Sequence, residues 1–189
     1  MEDEILDFWF GAPGTPVYGT ARDEWFRKDA AFDATVADRF GARVGRALNG
    51  TLEAVSATPR GTLAQVLLLD QFTRNIYRDT PAAFAGDAFA LAIADAAVVA
   101  GRDRDLTAVE RWFLYMPFEH AESPTAQSRS VELFTRLRDE TGLCDPLRWA
   151  EMHARVIRRF GRYPHRNAIL GRVSTPAEIA FLSEPGSRF

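Results

Sequence analysis

Apolar positions recur along this chain at the three-to-four-residue spacing of an amphipathic helix. No stretch shows the two-residue alternation of a strand bounded by hairpin turns. Punctuation divides the pattern. A short aromatic-rich helix is expected over 2–10, then a loop of about ten residues at Gly11, Pro13, Gly14, Pro16 and Gly19. Residues 22–28 read as helical. Asp29 or Asp33 caps the next helix, which carries Phe32, Val36, Phe40, Val44 and Leu48 on one face and stops at Asn49 and Gly50. Pro59 and Gly61 precede a strongly apolar helix over 63–72, and Pro81 marks the following loop. Asp87 reads as the N-cap of a helix over 88–100, with Gly101 behind it. Thr107 and Glu110 form a capping box that opens a helix through Met116, which Pro117 should end. Ser123 with Pro124, Asp145 with Pro146, and Thr175 with Pro176 and Glu178 open three more, the first two stopped by Gly142 and Gly161. The expectation is a single all-α domain over 1–189, built of antiparallel helical hairpins with short links. Trp-Phe pairs at 9–10, 25–26 and 112–113 share no period, so no repeat array is read.

Composition narrows the class without naming a chemistry. The 189 residues suffice for one self-sufficient core. With 23 basic and 26 acidic residues the net charge is −3, which argues against a generally basic nucleic-acid binder. Lys28 is the only lysine, so nearly all the positive charge is arginine. That suits carboxylate or phosphate recognition, but a codon usage favouring Arg and Ala is the simpler explanation, since Ala is abundant too. Cys144 stands alone, excluding an internal disulfide or a multi-cysteine metal site. The acidic N-terminus does not read as a signal peptide. The most apolar long stretch, 88–100, is interrupted by Asp95 and is too short for a bilayer. A cytoplasmic protein with no membrane, nucleic-acid or cofactor requirement is expected.

Three constellations place polar residues among apolar ones. In Leu67-Leu68-Leu69-Asp70-Gln71-Phe72-Thr73-Arg74-Asn75, Asp70 and Arg74, like Gln71 and Asn75, are helical neighbours in a segment that should be buried. A buried carboxylate and guanidinium must be paired. The pair either closes a helix end or floors a cleft. In Tyr115-Met116-Pro117-Phe118-Glu119-His120-Ala121-Glu122, the acids and His120 are expected in a turn after Pro117. There they serve as hydrogen-bonded structure, as an acid/base group or, less simply, as metal ligands. The stretch from Arg158 to Arg172 holds five arginines and His165 without an acid. A short turn at His165, Arg166 and Asn167 offers free N–H groups to an anion. The alternative is that the arginines lock the last helices by pairing with Asp70, Glu119 or Glu122. His153 reads as a core or cleft-edge residue. No spacing supports His120, His153 and His165 as a metal set, and Cys144 reads as an inert thiol.

These same segments resemble a bacterial family catalogued as domain of unknown function 924. The resemblance runs from Ile5-Leu6-Asp7-Phe8-Trp9-Phe10-Gly11 through Trp25-Phe26, the 69–78 and 115–122 segments and Phe160-Gly161-Arg162-Tyr163-Pro164-His165-Arg166-Asn167 to Leu170-Gly171-Arg172. Thr73 and Tyr163 stand where the family's pattern leads one to expect Pro and Phe. The resemblance implies an all-helical, tetratricopeptide-like fold and carries no activity or catalytic residue with it.

The functional expectation is a binding protein holding an anionic small molecule or a peptide carboxylate. Its ligand residues are expected to be Asp70, Gln71, Arg74, Asn75, Glu119, His120, Arg162, His165, Arg166 and Asn167. The alternatives are a hydrolase-like enzyme using His120 or His165 with Asp70 or Glu119, and a purely structural network in a protein that acts through a protein partner. Phe8, Trp9 and Phe10 are candidates for an interface if they are exposed.

Overall fold

The computed structural model describes residues 2–52 and 58–187, and every regular element among them is helical. The helices are α1 (Glu2–Phe10), α2 (Ala30–Leu48), α3 (Pro59–Val66), α4 (Phe72–Ile76), α5 (Asp87–Val99), α6 (Ala108–His120), α7 (Pro124–Thr141), α8 (Asp145–Phe160) and α9 (Pro176–Leu182). Short 3₁₀ turns lie at Asp23–Trp25, Pro81–Phe84, Arg102–Asp105 and Pro164–Arg166. α6 packs on α7 and α7 on α8 across short links, so these neighbours form antiparallel hairpins. α2 lies on α4, and α3 touches α1, α5 and α6.

The local start and stop signals act as their chemistry dictates. The Asp29 side chain accepts from Ala31 N and Phe32 N at the head of α2. Thr107 and Thr175 form reciprocal capping boxes with Glu110 and Glu178, and Ser123 caps α7. Gly142 and Gly161 end α7 and α8 with left-handed backbone.

The centre is aromatic. Trp9 stacks on Trp25 with ring centroids 6.0 Å apart, Phe113 meets Trp25 edge-on at 4.7 Å, and Phe40 meets Phe72 at 4.9 Å. Burying each such ring stabilises the fold by about 1.5–3 kcal/mol. Arg22 donates to the carbonyls of Phe8 and Trp9, and the Trp25 indole donates to Trp9 O, closing the C-terminus of α1. Trp9 and Phe10 are therefore core residues, and Phe8 packs against Phe32 and Phe40, rather than forming an interface.

Four expectations change. Residues 22–28 make only the Asp23–Trp25 3₁₀ turn. Asp145 is the first residue of α8 rather than its cap. Asp87 likewise begins α5 behind Gly86 and makes no cap bond; its carboxylate is used elsewhere. Pro117 does not end α6, which continues to His120. A proline so near the C-terminus breaks only one helical bond. The carbonyls that follow are also satisfied from outside: Gln127 of α7 donates to Glu119 O (2.7 Å) and Ala121 O (2.9 Å), and the Tyr163 hydroxyl donates to Glu119 O.

Between α3 and α4 the chain stays helical but widens into a π turn over Leu67–Gln71, with Phe72 N bonded to Leu67 O. Thr73 supplies its hydroxyl to the carbonyls of Leu69 (2.9 Å) and Asp70 (3.1 Å). Gly86 lies directly against this turn. The segment Pro81–Val99, with mean hydropathy 1.7, is long and apolar enough by length and composition to cross a membrane. Here Gly86 divides it, and α5 turns Ala90, Ala94 and Ala97 into the core.

A Cβ placed on Gly86 would sit 2.1 Å from Leu69 O, whereas one on Gly45, inside α2, would meet nothing within 4 Å. We therefore expect Gly86→Ala to destabilise the protein by about 2–4 kcal/mol, because the opposing atoms are backbone and cannot yield. Gly45→Ala should be neutral or stabilising by up to about 1 kcal/mol. Urea unfolding followed by circular dichroism checks both; a Gly86→Ala cost no larger than that of Gly45→Ala would contradict the packing.

Candidate functional site

The π turn brings Asp70 to the middle of a buried polar cluster. Asp70 is fully buried. Its Oδ1 lies 2.7 Å from His120 Nδ1 and 3.1 Å from Arg74, and its Oδ2 accepts from Gln71 Nε2. Arg74 also donates to Asp70 O at 2.7 Å and forks onto Asp87 at 2.8 and 3.1 Å. Asp87 Oδ2 in turn lies 3.4 Å from Arg166. The four charges thus alternate along a chain, Asp70, Arg74, Asp87, Arg166, that ties α4 and the π turn to the head of α5 and to the Pro164–Arg166 turn.

Arg166 is the least satisfied member. Its guanidinium is sandwiched between Phe84 and Tyr163, 4.7 and 4.6 Å from the ring centroids. The side chain is 8% exposed, its one ion pair is the long one to Asp87, and its Nε is buried without a hydrogen bond among the described residues. Burial, and then Arg74, pull its pKa below the usual arginine value.

Glu119 and His153 lie against the same cluster. His153 Nδ1 is 2.9 Å from Trp149 O and 3.2 Å from Glu119 Oε1, while Glu119 Oε2 is buried with no hydrogen bond among the described residues. The His153 ring is 6.5 Å from His120 and 5.5 Å from Tyr163, and His165 is 5.5 Å from Tyr163.

The electrostatics follow from burial. Burial alone would raise the Asp70 carboxyl, but Arg74 and then His120 hold it well below the carboxylate range. Asp70 therefore accepts, and His120 Nδ1 carries the proton. Burial, and then Arg74, lower the His120 pKa more than Asp70 raises it, so the ring is neutral near pH 7. Burial, with Asp70 beside it, pushes Glu119 up to about 8. Burial takes His153 down to about 3 and His165 to about 4. The inner cluster is thus an Asp–His pair, a protonated Glu and neutral imidazoles around one buried arginine, Arg166, and one half-buried, Arg74.

Of the residues expected at the site, Asp70, Gln71, Arg74, Glu119, His120 and Arg166 come together, with His165 across Tyr163. Asn75 is turned instead to Asp33 (2.7 Å), which Arg78 also holds. Arg162 forks onto Glu178 of α9 (2.7 and 2.9 Å). Asn167 donates to Ser174 (3.0 Å). Arg172 forks onto Glu122, which also accepts from Tyr163 N. His153, read as a core or cleft-edge residue, lies at the edge of the cluster, and Asp87 and Tyr163 belong to it without having been expected there. An aspartate in a run as apolar as 81–99 was a usable signal for Asp87. No group of three or more His, Cys, Asp or Glu among the described residues is arranged to hold a metal ion.

The sequence pattern of a family described as "Bacterial protein of unknown function (DUF924)" matches residues 5–186. The chain is also similar to a solved structure, a protein of unknown function, ATU0120, from Agrobacterium tumefaciens. The two are 40% identical over 96% of each chain, with a TM-score of 0.84. No curated protein matches the chain.

Glu119 makes stability pH-dependent with a definite sign. Its pKa is about 8 folded and near the usual 4.5 unfolded, so between these values the folded protein keeps a proton the unfolded chain has lost. Its contribution is fully present below pH 4.5 and is lost as pH rises through 8. His153 and His165 act oppositely below about pH 6.5, and their contributions cancel when variants are compared. Glu119→Gln should match the wild type at pH 4 and exceed it at pH 9 by roughly 2–4 kcal/mol. Denaturant titrations at the two pH values measure this; a difference that does not change with pH would refute the buried protonated carboxyl.

Proposed function

The chain belongs to the DUF924 family of bacterial proteins, and we propose that it binds a small anionic ligand, a carboxylate above all, at Arg166. The observation that carries this reading is the state of that arginine. A buried guanidinium has five N–H donors, and each one left without an acceptor costs free energy. Aromatic rings hold Arg166 in place while Nη1 reaches Asp87 only at 3.4 Å and Nε is left without an acceptor among the described residues. A ligand carboxylate supplies the missing acceptors in the bidentate geometry that arginine favours. Glu119, neutral and with one oxygen unmet, suits a second polar group of the ligand. Gln71, Asp70 and Arg74 serve this site by holding His120 and Asp87 in position. Asn75, Arg162 and Asn167 are left out of it. The exposed lone cysteine, Cys144, accords with a cytoplasmic protein.

The test is a thermal-shift titration with acetate, succinate, citrate and phosphate at constant ionic strength. A cognate ligand at a hundredfold excess over its Kd should add about 2.7 kcal/mol of stability. Arg166→Met, which replaces an under-bonded charge with an apolar chain, should fold and abolish the shift. Silence across the panel combined with severe destabilisation by Arg166→Met would assign the network to structure alone, leaving function to a protein partner.

A second reading, acid/base catalysis on the bound ligand, is favoured by His120. Its Nδ1 is fixed by Asp70 at 2.7 Å, and its Nε2 makes no hydrogen bond among the described residues, leaving a lone pair available to take a proton. Nitrogen-15 spectra of the imidazoles should show His120 neutral at pH 7 with the proton on Nδ1, and Asp70→Asn should disturb that tautomer. A His120 that is charged at pH 7.5, or protonated on Nε2, would remove the general base.

A further inference from the structure

α8 is the most sharply two-faced helix of the chain. Leu147, Ala150, His153, Ala154 and Ile157 face inward. Its outer face carries Arg148, Arg155, Arg158 and Arg159, all exposed and none with an ion pair among the described residues. Other arginines are matched, Arg60 to Glu110, Arg78 to Asp33, Arg136 to Asp103 and Arg172 to Glu122, whereas Arg46 on α2 and Arg102 and Arg104 on the turn before α6 are exposed without an ion pair among the described residues. α8 also carries the exposed acids Asp145 and Glu151, neither in an ion pair among the described residues, and Glu178 of α9 is already taken by Arg162. A chain of net charge −3 thus gathers four exposed arginines without ion pairs among the described residues on one helix.

The strip borders an apolar groove. Phe160 of α8 and Phe181 of α9 pack with ring centroids 5.1 Å apart, and Met152 and Val156 continue the floor. The groove holds about 330 Å³ and runs past Arg159 into a second, of about 580 Å³, between Arg162 and Thr175. Arg159 lies 4.7 Å over the Phe160 ring and 5.6 Å from Phe181.

We propose that the groove between α8 and α9 docks an acidic segment of a partner protein, a bulky apolar side chain seated on Phe160 and Phe181 and its flanking carboxylates on Arg155 and Arg159. Charge complementarity selects an acidic occupant, and the apolar floor requires more than charge. A nucleic acid fits less well: the positive strip is confined to one helix, and Arg159 already covers the ring faces on which a base would stack. This site is separate from the Arg166 cluster, and its test does not depend on that reading.

The experiment is fluorescence anisotropy with a labelled peptide of about twelve residues, rich in Asp and Glu around one central leucine. Saturable binding is expected, weakened about tenfold or more by Arg155→Glu with Arg159→Glu, and by exchanging the leucine for serine in the peptide. The arginine variants alter only exposed side chains. Phe181→Ser should weaken binding similarly, with circular dichroism confirming that it folds. Three outcomes would overturn the proposal: no saturable binding, equal affinity for the serine peptide or for a single-stranded oligonucleotide of matched charge, or a dimer of the protein alone that Phe181→Ser dissolves.

Discussion

The polar cluster beside the π turn depends on one alternating chain of charges, Asp70 to Arg74 to Asp87 to Arg166. None of these side chains could be buried alone, since an isolated ion in an apolar interior costs several kcal/mol even after relaxation. Alternation solves the problem in order. Arg74 neutralises Asp70 and occupies Asp87 with two short bonds, and Asp87 passes its remaining field to Arg166. The ladder joins segments far apart in the chain, so it couples the π turn, the head of α5 and the turn after α8. Its geometry requires Gly86, because only a residue without a Cβ lets α5 begin against Leu69 O and so places Asp87 beside Arg74.

The end of α6 is a second condition on the same site. Helical continuation past Pro117 sets Glu119 and His120 on the last turn, facing the π turn. It is sustained from outside by Gln127 and Tyr163, which take the carbonyls that the helix leaves open. Tyr163 therefore has two roles. Its hydroxyl finishes α6 and its ring supports Arg166, so the helix end and the least satisfied cation share one support.

Most helix boundaries were legible in the sequence because their causes are local. Thr107 with Glu110, Ser123 with Pro124, and Gly142 each act on backbone within a turn of themselves. The same reasoning misplaced Asp87 and Pro117. A local cap signal was read where a tertiary partner, Arg74, takes the carboxylate, and a local stop signal was read where Gln127 lets the helix go on. The composition of the site was largely legible, since a carboxylate and an arginine in a run such as Leu67 to Asn75 must be paired. Its membership was not. Arg162 and Arg166 are equivalent by sequence, and only the position of α9 gives Glu178 to the one and leaves the other short of partners. The π turn was illegible for the same reason: Leu-Leu-Leu-Asp-Gln reads as ordinary helix, and the wider turn is imposed by what packs on it.

The distribution of hydrogen bonds along the ladder separates what holds the fold from what is free to exchange. Arg74 is saturated from both sides and cannot release Asp70 or Asp87 without stranding a buried charge. Arg166 is held by stacking and one long contact, so an incoming carboxylate can engage it while the Arg74 fork stays closed. The cluster is close to neutral before the ligand arrives: Glu119 keeps its proton and the imidazoles are uncharged. An anion therefore meets no buried negative charge nearer to Arg166 than Asp87, which is already shared with Arg74. Raising the pH through 8 ionises Glu119 and adds a negative charge to the same cluster. The proton on Glu119 thus favours both the folded state and an anionic ligand, so stability and anion affinity should decline together as that proton leaves.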